Sequence, residues 1–278
     1  MSPSGRQVAG PYLEQLPAKS IPTVTPPSKQ INDGDDLTFF LSSTAYRDIM
    51  TWLLQLNRSL FPSKVEGGHA QESRLDAPPT FSDAVQNLRS LLSDLETLIT
   101  EAPPDTGPRR FGNVAFRNWF RLAERDAGTL VDRYVGSTVQ TWSGGDQRHH
   151  EALREELTTY LLGSFGSAQR LDYGTGHELS FLAFLGCLWK LGLFNDGEEN
   201  AIVIGVVQPC GFDRTPTCKI NADVRQISPP HQDSCSDLYP RASGQPRRLG
   251  SRRPQLRTLY LRLRSIRPGH YPRFTHAS

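Results

Sequence analysis

The sequence predicts an all-α protein with a multi-helix core, and three observations support that fold class. Apolar residues recur at helical spacing in five separate stretches between residues 35 and 200. No stretch before residue 200 alternates apolar and polar residues as a half-buried strand would. The fifth stretch, at about residues 179–193, is apolar on nearly every side, which indicates a central, buried helix.

The segment before the first helical stretch, residues 1–34, is rich in Pro, Ser, Thr and Gln. Three of its prolines, Pro22, Pro26 and Pro27, lie close together. Such a composition buries too little apolar surface to offset the entropy cost of ordering the chain. We therefore predict a disordered arm over residues 1–34.

A helical core is predicted over residues 35–209, and its first four helices follow from their apolar spacing. Pro62 ends the first helix and Pro103 the second, because proline cannot donate the helical hydrogen bond. Residues 201–207 are short and apolar, and their period does not decide between helix and strand. The apolar residues of the four helices are, in chain order, Tyr46, Ile49, Met50, Leu53, Leu56 and Leu60; Val85, Leu88, Leu91, Leu92, Leu95, Leu98 and Ile99; Phe116, Trp119, Ala123, Ala127, Leu130 and Tyr134; and Leu153, Leu157, Tyr160 and Leu161. The spacing predicts burial of six core residues, Leu88, Leu95, Trp119, Phe181, Phe184 and Leu188.

The C-terminal region, residues 210–278, has a different composition. It holds 13 Lys and Arg against 4 Asp and Glu, whereas residues 1–209 hold 18 against 25. Such an asymmetry is typical of a separate tail or of a nucleic-acid-binding element. Helical spacing also stops after Pro209. We predict an Arg/Pro-rich, disordered tail over residues 210–278.

Cysteine usage and apolar patterning bear on the cellular compartment. The 4 cysteines form no CxxC pair, so a zinc site is not expected. The start of the chain has no apolar segment typical of a secretory signal, and the apolar residues 181–194 are too few to span a bilayer. We expect a soluble, cytoplasmic protein with reduced thiols that has no membrane partner, with the nucleus as a second location.

The most specific local sequence is Arg-Leu-Asp-Tyr-Gly-Thr-Gly-His-Glu at residues 170–178, just before the buried helix. Gly174 and Gly176 allow a tight turn with exposed amide groups, and the helix start adds partial positive charge. Arg170 can contact a phosphate through two hydrogen bonds. The motif is neither a P-loop nor a dinucleotide fingerprint, since it lacks the Gly-Lys-Ser/Thr run and a preceding strand. These features suit an anionic phosphate.

The same residues also fit a purely structural helix start. Thr175 and Glu178 have the spacing of a capping box, in which the threonine hydroxyl and the glutamate satisfy amide groups of the first turn. Asp172 and His177 would then make cap and loop hydrogen bonds. The local sequence alone favours this structural interpretation over phosphate binding.

Three long motifs resemble signatures of the phosphotyrosyl phosphatase activator family. The first is residues 170–178 followed by Leu-Ser-Phe-Leu-Ala-Phe-Leu at 179–185. The second is Pro-Pro at 103–104 with Arg-Phe-Gly-Asn-Val-Ala-Phe-Arg-Asn-Trp at 110–119. The third is Phe-Leu-Ser-Ser at 40–43 with Tyr-Arg-Asp-Ile-Met at 46–50. The matches fall in family order over about residues 20–209.

The resemblance implies a helical core and a lid joined by a linker, with ATP in a deep pocket. In the family the arginine, the threonine and the second glycine of the first signature contact the nucleotide, which implies Arg170, Thr175 and Gly176 here. It also implies an activator of the type 2A protein phosphatase catalytic subunit that is a peptidyl-prolyl cis-trans isomerase and depends on ATP and magnesium. The implied partners are that catalytic subunit and a proline-containing peptide. No catalytic acid or base and no metal ligand is assigned.

The chain departs from the family after residue 209. The family segment that bears on magnesium and peptide binding, similar to Gly-Val-Trp-Gly-Leu-Asp-Asp, is absent from residues 210–278. One nucleotide sequence can nevertheless encode both this family segment and residues 239–266, in two different reading frames. We therefore interpret the tail as family sequence translated out of frame, with the lid and linker missing or disrupted.

Two alternatives stay open for the function. The chain can be an inactive, truncated fragment of the family with no catalytic activity. A tail with a net charge of +9 can also bind nucleic acid through its phosphates. The out-of-frame origin explains the arginine content without any such function.

Overall fold

The computed structural model describes residues 11–17, 24, 27–64, 70–71, 78–103, 114–171 and 173–207. These residues contain seven α-helices and one π-helix, so the fold class is all-α, as predicted. Two strands of two residues each, which the sequence did not indicate, pair antiparallel between α2 and α3. In chain order the elements are α1 (Gly34–Ser42), α2 (Thr44–Arg58), β1 (Ser63–Lys64), β2 (Ala70–Gln71), α3 (Asp83–Glu101), α4 (Ala115–Ser143), α5 (Gln147–Gly163), α6 (Thr175–Lys190), α7 (Glu199–Ile202) and the π-helix (Val203–Val207).

Polar side chains fix where several helices begin. Asp33, Ser43, Ser82 and Asp146 each accept a hydrogen bond from an amide in the first turn of α1, α2, α3 and α5, respectively. Such caps satisfy amide groups that have no partner inside the helix. Ser43 is also the residue that ends α1, which is why α1 and α2 are separate helices.

The helices from α2 onward form a ring in which each helix contacts two neighbours. α4 lies between α3 and α5, α5 contacts α6, and α6 contacts α2. The π-helix packs on α3 and α7 packs on α2, which joins the two ends of this series. The turn at Gly144 and Gly145, both with positive φ, links α4 to α5 as an antiparallel pair.

The predicted burial is correct for five of the six core residues. Leu88, Leu95, Trp119, Phe184 and Leu188 are buried. Phe181 is only partly buried, because it lies at the margin of the core and stacks on Phe184 with ring centroids 6.2 Å apart.

Residues 201–207, which the sequence left undecided, are helical. Val203, Ile204 and Val206 are buried. Gly205 lets the π-helix approach α3 closely, since a Cβ at this position would lie 2.8 Å from both Phe81 and Val85.

The prediction of a disordered arm is wrong for residues 11–17, which we name the N-terminal strap. Leu13 is buried, and its amide donates to Gln55 Oε1 on α2 while its carbonyl oxygen accepts from Trp189 Nε1 on α6. The amide of Leu16 donates to the carbonyl oxygen of Lys190. Composition could not show this, because backbone groups and distant partners hold the strap.

A buried polar pair also connects the N-terminal strap to α7, near the end of the described residues. Gln55 Nε2 donates to Glu199 Oε1 on α7 at 2.9 Å, and both residues are buried. The strap, α2 and α7 are therefore joined through one glutamine side chain.

Two further predictions fall partly or wholly on other residues. Residues 1–10, 18–23 and 25–26 of the arm and the tail, residues 210–278, lie outside the described residues. In the part of the chain that is described, no helix has the length and apolar character needed to cross a membrane.

Candidate functional site

The loop at residues 164–171, which we name the site loop, connects α5 to the approach to α6. Phe165 fixes its beginning by packing edge-on against Trp119 of α4, with ring centroids 5.3 Å apart. Ser167 fixes its end: its hydroxyl oxygen accepts from the Arg170 amide at 3.1 Å, and its carbonyl oxygen accepts from the Leu171 amide at 2.7 Å. The loop is therefore a compact turn that presents Arg170.

The tight turn occurs at Leu171 rather than at the glycines where the sequence predicts it. Leu171 has a φ of 55°, in the left-handed region, and its side chain is buried. Gly174 is extended, with a φ of −156°, and Gly176 lies within α6. A left-handed leucine costs about 1–2 kcal/mol, so it persists only where neighbouring contacts impose it. Burial of the Leu171 side chain and its amide bond to Ser167 are two such contacts.

The capping-box prediction is also wrong. α6 begins at Thr175, so Gly174 rather than Thr175 occupies the cap position, and Gly174 has no side chain with which to cap the helix. The Gly174 carbonyl oxygen accepts from the amides of His177 and Glu178 at 2.9 and 3.4 Å. The first-turn amides of α6 thus form a positive helix end whose cap residue is a glycine.

The space beside both glycines of the motif is open. Among the described residues, a Cβ built on Gly174 or on Gly176 would meet no heavy atom within 4 Å. By contrast, a Cβ on Gly163 would lie 2.6 Å from Ser180 Oγ. An anion can therefore approach the start of α6 closely, which fits a phosphate group.

The three residues predicted to contact a nucleotide occupy two adjoining parts of this site. Thr175 and Gly176 are the first two residues of α6, and Arg170 lies on the exposed part of the site loop. Thr175 is half-buried and Gly176 is exposed. Asp172, which the structural interpretation assigned to a loop hydrogen bond, lies outside the described residues.

His177 attaches the start of α6 to the end of α5. Its Nδ1 lies 2.6 Å from the carbonyl oxygen of Gly163, and since a carbonyl only accepts, Nδ1 carries the hydrogen. The imidazole also stacks on Tyr173 with ring centroids 5.6 Å apart. Ser180, one turn later, donates to the Tyr160 carbonyl oxygen at 2.9 Å. These contacts agree with a structural role for His177.

Arg117 is a residue of the site that sequence reasoning missed. It lies in the first turn of α4, and its guanidinium donates to two carbonyl oxygens of the site loop, those of Ala168 and Gln169, at 3.0 and 3.2 Å. The sequence did mark Arg117 as part of the motif at residues 110–119. Helical spacing alone, however, predicts only that this position is exposed.

The thiol of Cys187, which lies on α6, is not a candidate nucleophile. Burial and the nearby Glu156 carboxylate raise the pKa of Cys187 to about 12. The thiol is therefore protonated at neutral pH, whereas the thiolate is the reactive form. Within the described ranges, no group of three or more His, Cys, Asp or Glu side chains is placed to hold a metal ion.

A family model described as phosphotyrosyl phosphate activator (PTPA) protein matches residues 27–210. The chain belongs to this family. The match includes the site loop, the start of α6 and the motif that contains Arg117.

Curated relatives and a solved structure agree with this membership. Serine/threonine-protein phosphatase 2A activator 1 of Emericella nidulans is 50% identical over 190 residues, which is 66% of this chain and 44% of that protein. The protein of the same name from Aspergillus fumigatus is 48% identical over 207 residues, or 70% of this chain and 44% of that protein. A crystal structure of the PP2A phosphatase activator Ypa1 PTPA1 has a TM-score of 0.59 and 28% identity, and the match covers 77% of this chain and 60% of that one. This PTPA-family chain therefore spans less than half the length of the two fungal relatives.

Proposed function

We propose that this PTPA-family protein, once the family reading frame is restored beyond about residue 210, activates the catalytic subunit of a type 2A protein phosphatase and is a peptidyl-prolyl cis-trans isomerase that depends on ATP and magnesium. The observation that carries the proposal is the start of α6 in a chain of this family: a glycine occupies the cap position, and the described residues leave the space beside Gly174 and Gly176 open. Relatives named phosphatase 2A activators support the choice of partner.

The residues at the start of α6 fit a nucleotide phosphate. The amides of Thr175 and Gly176 lie at the positive end of the helix, where an anion is stabilised. Arg170 would add a charge-assisted contact through its planar guanidinium. When bound, ATP would bring a polyphosphate to the junction between the activator and the phosphatase. The role of these three residues is to bind and orient that group.

Magnesium does not fit a site made only from the described residues, because they contain no cluster of three or more carboxylate, imidazole or thiol side chains. The family segment similar to Gly-Val-Trp-Gly-Leu-Asp-Asp is also absent from the sequence. The proposal therefore assigns magnesium no ligand in this chain.

Isomerisation of a proline-containing peptide requires no covalent intermediate. The barrier to rotation about a peptide bond is about 18–20 kcal/mol, and the twisted amide lies at its top. A cleft that binds the twisted amide more tightly than either planar form lowers that barrier. The proposal needs no catalytic acid or base, and none is assigned.

A second candidate is an inactive fragment of the family. It is favoured by the family match, which ends at residue 210, and by the share of the relatives that the chain covers, 44% for each of the two fungal proteins. The two candidates are compared by phosphatase activation. A chain with the restored reading frame should activate the phosphatase, whereas an inactive fragment should not. Sequencing the transcript would show whether the frame continues into Gly-Val-Trp-Gly-Leu-Asp-Asp.

The nucleotide part of the proposal is tested by Arg170→Ala in a chain whose frame is restored beyond about residue 210. A hydrogen bond to a charged group contributes about 1.5–3 kcal/mol, so we expect ATP affinity in calorimetry to fall tenfold or more. The free energy of unfolding should change by less than about 0.5 kcal/mol, since Arg170 is exposed. Arg148→Ala, at an exposed position in the first turn of α5, is the matched control. Equal ATP affinity in Arg170→Ala and the unchanged protein would refute the assignment.

Activation is tested by comparing the 278-residue chain with the frame-restored chain on a type 2A phosphatase catalytic subunit. We expect activation by the restored chain alone. Failure of the restored chain would refute the proposed function. Equal activation by both chains would instead refute the out-of-frame interpretation of residues 210–278.

A further inference from the structure

Arg117 holds two consecutive carbonyl groups of the site loop with one guanidinium. Its Nε donates to Ala168 O at 3.0 Å and its Nη2 donates to Gln169 O at 3.2 Å. Because the guanidinium is planar and rigid, both carbonyls must lie in a fixed relation to it. Arg117 therefore fixes the orientation of the peptide groups that come directly before Arg170.

The residues that follow these carbonyls have a conformation that needs such a restraint. Leu171 is left-handed, with a φ of 55°, and a non-glycine residue keeps that conformation only where its surroundings determine it. Ser167 holds the same turn from within the loop, through its bonds to the amides of Arg170 and Leu171. Arg117 adds the restraint from outside the loop.

The turn of α4 that carries Arg117 is itself fixed in the core. Trp119 is buried, and its indole nitrogen donates to the Leu95 carbonyl oxygen at 3.1 Å. The same indole contacts Phe165 at the start of the site loop. One turn of α4 thus provides an apolar contact to the beginning of the loop and a polar contact to its end.

We propose that Arg117 is a positioning residue for nucleotide binding, which places Arg170 and the approach to α6 by holding the Ala168 and Gln169 carbonyls. This inference rests on the proposed nucleotide site. Arg117 donates to protein carbonyls, so it acts through the loop and does not itself contact the nucleotide. Lysine cannot replace it, because an ammonium group lacks the planar pair of donors.

The first test measures amide hydrogen exchange in the 278-residue chain with Arg117→Ala and Arg117→Lys. The amides of Arg170 and Leu171 should exchange at least tenfold faster in both variants, because the loop loses its outside restraint. Arg121→Ala is the matched control: Arg121 is exposed one turn later on α4 and contacts Asn118 of the same helix. Exchange at Arg170 and Leu171 that is unchanged in both Arg117 variants, or equally fast in the control, would overturn the proposal.

The second test measures ATP affinity of the frame-restored chain by calorimetry, at a temperature where every variant is folded. Arg117→Ala and Arg117→Lys should each lower the affinity about tenfold, and Arg121→Ala should leave it unchanged. A purely structural role would lower the melting temperature without changing affinity, and that result would overturn the proposal. If the unchanged protein binds no ATP, the proposed function fails instead, and the exchange data still decide whether Arg117 orders the loop.

Discussion

The two ends of α6 are held in different ways. At its beginning, Gly174 and Gly176 border open space, and side chains hold the helix through single hydrogen bonds to carbonyl oxygens, as His177 does with Gly163. At its end, Trp189 is fully buried, with its ring 5.0 Å from that of Trp52. Hydrogen bonds are directional, so they orient the beginning of α6 while its first amide groups stay accessible. Apolar burial stabilises the end of α6 and leaves no space there for a ligand. One helix thus joins the candidate nucleotide site at its beginning to a tightly packed region of the core at its end.

The largest expected effect is at the buried end. Trp189→Ala should lower the free energy of unfolding by about 3–5 kcal/mol, because it empties a fully buried position and removes the bond to Leu13 O. Urea unfolding followed by circular dichroism measures the change. Phe39→Ala is the control, since Phe39 on α1 is 77% exposed. A loss below about 1 kcal/mol for Trp189→Ala would contradict the assignment of this end as the stabilising one.

An intermediate effect is expected where the first half of α6 meets α5. Gly163→Ala should destabilise by about 1–3 kcal/mol, because the new Cβ would lie 2.6 Å from Ser180 Oγ. Adding Ser180→Ala should recover part of this loss, since it removes the clashing atom.

Gly176→Ala is the matched control for that prediction, because its Cβ would meet no heavy atom within 4 Å. It should leave stability the same or raise it by up to about 1 kcal/mol, since alanine favours a helix interior. In the frame-restored chain it should also weaken ATP binding by filling the open space. Equal stability losses in Gly163→Ala and Gly176→Ala would remove the distinction between a packed and an open position.

The smallest effect concerns a partly exposed ion pair at the end of α6, where Lys190 Nζ donates to Asp48 Oδ2 at 2.8 Å. Burial alone would raise the pKa of Asp48, but Lys190 and Arg47 outweigh it and hold this pKa below its usual value. The folded pKa is below the unfolded one, so the stabilisation is present above about pH 4 and is lost as the pH falls through the folded pKa.

Asp48→Asn should therefore cost about 1 kcal/mol or less at pH 7, and its difference from the unchanged chain should shrink below about pH 4. Burial raises the pKa of Glu156, which also interacts with Lys190, so its contribution to stability has the opposite sign and falls as the pH rises. At each pH, the free energy of unfolding of Asp48→Asn is subtracted from that of the unchanged chain. Since Glu156 is present in both chains, the difference reports on Asp48. A difference that is constant with pH would show that the pair does not stabilise the fold through charge.

Helical spacing predicted the main elements because apolar residues such as Leu88 and Leu95 both define the period and fill the core. Helical spacing missed α1, because no residue of α1 is buried and its apolar residues therefore do not follow a core-facing period. The motif at residues 170–178 located the candidate site, but not its geometry. The turn at Leu171 depends on burial and on bonds from Ser167, and neither is a property of local sequence. Helical spacing could not show the contacts of Arg117 for the same reason, since its partners lie 51 and 52 residues away.

The N-terminal strap has a consequence for the order in which the chain can fold. Its bond from Trp189 to Leu13 joins residues 176 positions apart, whereas α3, α4 and α5 each contact the next helix along the chain. Contacts between distant residues form late, because closing a long loop costs entropy before any contact is gained. During synthesis at about 5–20 residues per second, Leu13 leaves the ribosome roughly 9 to 35 seconds before Trp189. Until Trp189 has been synthesised, Leu13 lacks its hydrogen bond to α6 and Trp52 lacks the indole ring that packs against it.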